Sequence, residues 1–184
     1  MKEIVNKEQQ KSLLKLARDT ITTYLNKGQR IKFSSHEPEL QAKCGAFVTL
    51  KKEDQLRGCI GYITSSKPLY ETIIDCAITA AFEDPRFPPL QKKELASTSI
   101  EISILSPPKK ISNINEIEVG KHGLIISKGF QRGLLLPQVA TEYNWDRITF
   151  LQHTCFKAGL PSNAWQEGTD IEIFSVQLFA EEEN

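Results

Sequence analysis

The sequence lacks the patterns that hold metals or build disulfide frameworks. Its 184 residues include four cysteines but no CxxC pair, and its three histidines show no HxxxH or zinc-finger spacing. No apolar run approaches the ~18 residues that a membrane helix needs, and the first ten residues are polar, unlike the apolar core of a signal peptide. These absences predict a cytoplasmic protein with reduced thiols, no membrane contact, no resident metal and no cofactor.

The sequence also lacks an excess of charge. Lys+Arg and Asp+Glu each total 23, so the formal net charge is zero. Nucleic-acid binders usually carry a basic field that attracts phosphates, so this balance argues against a nucleic acid as the partner. Neither a βαβ repeat nor a GxGxxG loop is present, which argues against a doubly wound nucleotide-binding fold.

What the chain does contain is a mixture of helical and strand patterns. Apolar spacing predicts helices over residues 8–25, 69–82, 139–143 and 147–158, and strands over residues 46–51, 55–63, 98–105, 123–127, 133–136 and 171–180. Residues 29–44 are polar and irregular, which predicts a loop. The order predicts an α+β fold, with an antiparallel or mixed sheet and flanking helices, in a single domain over residues 1–184.

The stretch LRGCIGY, residues 56–62, carries the densest group of chemically useful residues. Glycine inside a strand pattern suggests a bulge, and Gly58 and Gly61 would then re-aim the side chain of Cys59. A guanidinium two residues away, on Arg57, would favour the thiolate and hold an anionic group beside it. Cys59 is therefore a candidate nucleophile, with Arg57, Gly58 and Gly61 as ligand-binding candidates. The alternative is a tight strand with a packed, structural cysteine.

Two further segments supply charged candidates. Residues 83–89, EDPRFPP, contain three prolines in five positions, so Asp84 and Arg86 would be presented on a rigid turn and could bind a ligand. The alternative is a capped turn closed by an ion pair. Glu101 lies on the polar face of the strand at 98–105 and is a candidate for proton transfer.

The C-terminal half adds three ligand-binding candidates. His122 stands at the entrance of a strand, Gln138 begins a helix, and Glu142 near the end of that helix could move protons. Cys59, His122 and Glu101 could converge on a metal, but no local spacing supports this, and we predict no metal site. Trp145 and Trp165 could anchor an interface, although packing in the core is the more usual fate of tryptophan.

Five ordered blocks give the sequence a family resemblance. LRGCIGY, EDPRFPPL, IEISIL, GLLLPQVATEYNW and FLQHTCFKAGLPSNAW resemble the AMMECR domain family, whose prokaryotic members are called AmmeMemoRadiSam system protein A. The resemblance runs from about Leu13 to Phe179. It implies an α+β fold of two unequal lobes that meet at a cleft around LRGCIGY. It also implies an intracellular protein that works with a Memo-like protein and a radical S-adenosylmethionine protein, without an established reaction.

Two functions are compatible with these observations. The first is an enzyme of a biomolecule-modification pathway that uses Cys59, with Glu101 as the proton-transfer residue. The second is a non-catalytic binding or scaffold module for a small anionic ligand or a partner protein, in which Cys59 is structural. A nucleic-acid function would require scattered basic residues, Arg57, Arg86, Lys43, Lys51 and Lys52, to gather on one surface. No pattern in the sequence defines the oligomeric state.

Overall fold

A computed structural model of the chain describes residues 4–181. The helices are α1 (Lys7–Lys27), α2 (Pro38–Gln41), α3 (Leu69–Phe82), α4 (Pro137–Glu142) and α5 (Arg147–Lys157). The strands are β1 (Gly45–Lys52), β2 (Gln55–Tyr62), β3 (Thr98–Leu105), β4 (Lys109–Ile111), β5 (His122–Lys128), β6 (Gln131–Leu135) and β7 (Asp170–Ala180). The chain divides into two compact units, one formed by the residues up to Leu105 and from Gln177 onward, the other by Ser106–Val176.

In the first unit, β1, β2 and β3 form an antiparallel arrangement with helices on one face. β1 pairs with β2 on one side and with β3 on the other. Alternate residues of β1, namely Ala46, Val48 and Leu50, are completely buried and share a core with apolar residues of α1 and α3. The intervening residues of β1 therefore point to the opposite face of the sheet. That opposite face carries the polar candidates.

Helix α1 has clear start and stop signals. The side chain of Asn6 accepts a hydrogen bond from the backbone N–H of Gln9, and the Gln9 side chain accepts one from the Asn6 N–H, which forms a capping box. Gly28 ends the helix in a left-handed conformation, with φ of 63°. Between them lies a stripe of buried apolar residues that packs on the core.

The second unit has its own sheet and core. β5 pairs antiparallel with β6 and with the first part of β7, whose other side pairs with β4. Helix α5 starts at Asp146, whose side chain accepts a hydrogen bond from the N–H of Thr149 at 2.7 Å. Phe150, Leu151 and Cys155 of α5 are completely buried in this core.

The α+β class and the antiparallel sheet are confirmed, and the ranges 69–82 and 98–105 coincide with α3 and β3. The prediction of a loop over residues 29–44 was incomplete, because Pro38–Gln41 forms the short helix α2. Pro38 has the backbone φ that the first turn of a helix requires. The surrounding polar residues have no helical apolar spacing, so the helix was not predicted. The sequence also gave no indication of the short strand β4 or of the 3-10 helix Lys92–Ser97.

Candidate functional site

Cys59 lies on β2, on the sheet face opposite the helices. It stands directly across from Thr49 of β1, and the Thr49 hydroxyl lies 3.2 Å from the Cys59 sulfur, in position to donate a hydrogen bond. Cys59 is partly buried, whereas the other cysteines, Cys44, Cys76 and Cys155, are buried. Burial raises the pKa of all three, that of Cys76 to about 12. Cys59 is thus the thiol with the most open surroundings.

The bulge in β2 lies at Arg57, next to Gly58, and not at Cys59. Leu50 pairs with Gly58 and Lys51 pairs with Leu56, so Arg57 has no partner on β1. A bulge re-aims the residue that it leaves unpaired, and that residue is Arg57. The prediction that Cys59 is the re-aimed side chain was therefore wrong. Cys59 keeps a regular register, and its orientation follows from the pleat of the strand.

Asp84 and Arg86 hold the outer edge of β2 at Cys59. The Cys59 N–H donates to Asp84 Oδ2 at 2.9 Å, and the Cys59 carbonyl oxygen accepts from Arg86 Nη2 at 3.0 Å. Among the described strands β2 pairs only with β1, so its other edge would leave these backbone groups without a strand partner. The two side chains take the place of a neighbouring strand. We call them the Asp84–Arg86 clamp.

The clamp is also an ion pair. Arg86 Nε and Nη2 donate to the two carboxylate oxygens of Asp84 at 2.9 and 2.7 Å, and the Arg86 N–H adds a bond of 3.1 Å. The Asp84 side chain is only 1% exposed, whereas that of Arg86 is 53% exposed. The side-chain hydrogen bonds from Arg86, together with the Cys59 and Arg86 N–H groups, hold the pKa of Asp84 far below its usual range. Asp84 is therefore a permanently ionised structural anchor at neutral pH.

Arg57 makes a second ion pair, with a residue that the sequence did not single out. Its Nε and Nη2 each donate to a carboxylate oxygen of Glu94 at 3.1 Å, and Nη2 also donates to the Pro88 carbonyl at 3.0 Å. The side-chain bonds from Arg57, and then the Gln91 N–H, lower the pKa of Glu94 to about 2. Arg57 Nη1 is buried without a hydrogen-bond partner within residues 4–181. The Arg57 side chain is nine-tenths buried, and the two N–H groups of its Nη1 remain available to an acceptor.

The two guanidiniums share an aromatic neighbour. The Cζ atoms of Arg57 and Arg86 lie 5.9 and 5.6 Å from the centroid of the Phe87 ring. Both distances fall within the range of a cation–π contact. The proline-rich segment thus fixes Asp84, Arg86, Phe87 and the Pro88 carbonyl around the bulge of β2.

Glu101 lies in the same cross-strand row as Cys59. Thr49 pairs with Cys59 on one side and with Glu101 on the other, so the three side chains share a face. Two strand spacings put the backbones of Cys59 and Glu101 about 10 Å apart. Lys51 Nζ donates to Glu101 Oε2 at 2.9 Å. The row therefore contains a thiol, a hydroxyl and a carboxylate, with an ammonium group held beside the carboxylate.

The two glycines allow close packing. A Cβ on Gly58 would lie 2.2 Å from the carbonyl oxygen of Ala80 in α3, and one on Gly61 would lie 2.3 Å from the carbonyl oxygen of Ala46. The absence of these side chains lets α3 and β1 approach the strand. This packing reason is independent of the ligand-binding role predicted for both residues.

The remaining candidates lie in the second unit. His122 is partly buried, its Nδ1 accepts a hydrogen bond from the Glu118 N–H at 3.1 Å, and burial lowers the pKa of His122. Gln138 and Glu142 are exposed and one helical turn apart on α4. Trp145 packs on the core of this unit, as does Trp165. The ring of His153 stacks on Trp145 with centroids 3.9 Å apart.

Sequence reasoning missed Thr49, Lys51 and Glu94 as members of the site. Their relation to Cys59 and Arg57 depends on strand register and on the path of the chain after α3, which periodicity does not define.

Within residues 4–181 no group of three or more His, Cys, Asp or Glu residues is placed to hold a metal ion. The same part of the chain contains no helix long and apolar enough to cross a membrane.

Comparison with known proteins places the chain in a family. A family model described as AMMECR1 matches residues 14–179. A protein of Methanopyrus kandleri is 45% identical over 193 residues, covering 100% of this chain and 93% of its own length. A protein of Methanosarcina barkeri is 46% identical over 183 residues, covering 94% of this chain and 90% of its own length.

A solved structure shows the same fold. The crystal structure of an uncharacterized protein from Pyrococcus horikoshii is 41% identical and superposes with a TM-score of 0.83, over 98% of this chain and 95% of that chain. The family model covers most of the chain, and the two relatives and the crystal structure each match nearly its full length. The chain belongs to the AMMECR1 family.

Proposed function

We propose that this chain acts in a biomolecule-modification pathway, with Cys59 as the reacting thiol. The observation that carries the proposal is the hydrogen bond that the Thr49 hydroxyl can donate to the Cys59 sulfur at 3.2 Å. A donor aimed at sulfur stabilises negative charge on it, which is what a nucleophilic thiol requires. The Asp84–Arg86 clamp supports the proposal, since it fixes the backbone on both sides of the thiol.

The proton-transfer role in this proposal falls to Glu101. Its carboxylate is held by Lys51 and lies in the same row as Cys59, separated from it by Thr49. The backbones of the two residues are about 10 Å apart with Thr49 between them, so in this proposal a bound substrate or water bridges the thiol and the carboxylate. The thiol would give its proton across that bridge to the Glu101 carboxylate, the sulfur would bond to an electrophilic centre, and the leaving group would take the electron pair of the broken bond.

The partners in this proposal are the Memo-like protein and the radical S-adenosylmethionine protein that the family resemblance implies, in the cytoplasm. The test is to incubate the chain with both partner proteins from the same genome and an extract of small metabolites, and then to measure the mass of the peptide that contains Cys59. We expect an adduct on Cys59 in the native chain. A Cys59 peptide that keeps its unmodified mass in the presence of both partner proteins and the extract would overturn the catalytic role.

A second candidate function rests on a different observation. Arg57 Nη1 is a buried donor without a partner within residues 4–181, and the side chain of Arg86 is about half exposed. These groups support a non-catalytic module that binds a small anionic ligand or a partner protein, with a structural Cys59. In that case Cys59→Ala would retain binding to the two partner proteins, measured by size-exclusion chromatography, whereas Arg57→Lys would lose it.

A further inference from the structure

One cavity of the first unit is lined by residues that are distant in sequence from the Cys59 site. It is a groove of about 610 Å³ between helix α1 and the end of β7. We call it the basic groove and define it by Lys7, Lys11, Leu14 and Lys15 of α1 and by Leu178 and Phe179 of β7. None of these residues contributes to the Cys59 site, so the inference goes beyond the proposed function.

The cations of the basic groove form one row along α1. Lys7, Lys11 and Lys15 are exposed and follow each other at intervals of four residues, which places them on one face of the helix. Lys15 pairs with Asp19 at 2.5 Å, and Lys7 lies 3.4 Å from the side-chain oxygen of Gln10. Lys11 makes no ion pair within residues 4–181. In a chain of zero net charge, the row is a local concentration of positive charge.

One end of the groove is closed by the protein's own contacts. The guanidinium of Arg18 donates to both carboxylate oxygens of Glu181 and to the carbonyl oxygens of Leu95 and Thr98. Arg18 is therefore committed to holding the chain after β7, and the lysines are the groups that can meet a ligand.

The opposite wall of the groove is an apolar strand edge. Leu178 is 59% exposed and lines the groove, so its side chain is accessible to a ligand there. The pairs of β7 with β4 and β5 involve only residues from Asp170 to Ser175. Beyond them, β3 is the one strand beside β7 in the described part of the chain. An edge of this kind can accept an added strand.

The spacing of the lysines matches an extended peptide. Four residues of α-helix rise about 6 Å, and two residues of a β-strand rise about 6.6 Å. Carboxylates at alternate positions of an extended segment would therefore meet successive lysines. The residues between them would point the other way, toward the apolar wall formed by Leu178.

We propose that the basic groove binds an extended segment of a partner protein in which acidic and apolar residues alternate. The acidic side chains meet Lys7, Lys11 and Lys15, and the apolar side chains pack on Leu178. A single-stranded nucleic acid fits less well, because such ligands stack their bases on exposed aromatic rings and the aromatic residue of the groove, Phe179, is buried.

The test is the binding of a fluorescein-labelled seven-residue peptide, alternating glutamate and valine, measured by fluorescence anisotropy with the full chain. We expect saturable binding that Lys7→Glu with Lys11→Glu weakens at least about tenfold, since two attractive pairs become repulsive. The matched control is Lys43→Glu with Lys93→Glu, which changes the net charge equally at two exposed positions outside the groove. We expect it to change the affinity less than about twofold.

Further variants distinguish specific binding in the basic groove from non-specific electrostatic attraction of the peptide. Leu178→Ser leaves the charge unchanged and should weaken binding several-fold, while circular dichroism reports an intact fold. A peptide of the same composition with its glutamates grouped should bind more weakly than the alternating one. The proposal is overturned by any of three results: no saturable binding, equal weakening by the two double variants, or tighter binding of a single-stranded oligonucleotide of equal charge.

Discussion

The carboxylate of Asp84 accepts the backbone N–H of Cys59 at 2.9 Å, while the guanidinium beside it binds the Cys59 carbonyl. A turn after helix α3 thus completes the edge of strand β2 at the residue that carries the thiol. This contact unites the two sequence motifs LRGCIGY and EDPRFPP in one structural unit. Proline has no N–H to donate to a neighbouring strand, and in this segment the side chains of Asp84 and Arg86 supply the hydrogen bonds to β2 instead.

Asp84→Asn should destabilise the first unit by about 2–4 kcal/mol, because it removes a buried charged acceptor and leaves Arg86 without its partner. Chemical denaturation measures the change, and hydrogen exchange of the Cys59 amide should become faster. The same substitution at an exposed helix cap, Asp146→Asn, serves as the control. It should change stability little, since asparagine is an equally good N-cap. Equal effects of both substitutions would contradict the role of Asp84 as a buried anchor.

Stability should fall in acid because the Arg57–Glu94 pair loses its charge. The pKa of Glu94 is about 2 in the folded chain, below its ordinary value of 4.5. A lowered folded-state pKa contributes stability above pH 4.5, and this contribution is lost as the pH falls toward 2. It amounts to at most about 3 kcal/mol.

Urea denaturation between pH 7 and pH 3 measures this contribution. Glu94→Gln should be less stable than the native chain at pH 7, and its stability should fall less as the pH is lowered. A double-mutant cycle with Arg57→Gln assigns the difference to the pair. A Glu94→Gln chain whose acid dependence equals that of the native chain would show that this pair does not set the acid sensitivity.

Gly58→Ala should cost more stability than an equivalent change in a turn. The added Cβ would lie 2.2 Å from the Ala80 carbonyl of α3, so helix and strand would have to move apart, at about 3 kcal/mol or more. Gly129→Ala is the comparison, because Gly129 has a φ of +59° but no atom within 4 Å of the added Cβ. It should cost about 1 kcal/mol from backbone strain alone. The melting temperatures of the two variants measure this difference, and equal losses would contradict the packing role of Gly58.

The sequence defined the helices and strands well because their apolar residues recur at regular intervals, as in α3 and β3. It also singled out Cys59, Arg57, Asp84 and Arg86, whose motifs combine glycine, proline and charge in short segments, and the structure brings these residues close together. It did not define their partners. The pairing of Arg57 with Glu94 depends on where the chain runs after α3, and the contact of Cys59 with Thr49 depends on register. The bulge at Arg57 was displaced from its expected position because two glycines offer more than one site for it.

The most direct measurement is the alkylation of the native chain with iodoacetamide, with each cysteine followed by peptide mass mapping. We expect Cys59 to be modified in the folded protein, while Cys44, Cys76 and Cys155 react only after denaturant is added. We also expect Thr49→Val to slow the reaction of Cys59, because the hydroxyl that can donate to its sulfur is removed. A Cys59 that stays unmodified until the chain unfolds would contradict its role as the reacting thiol, and Cys59 would then be a structural residue of the β2 edge.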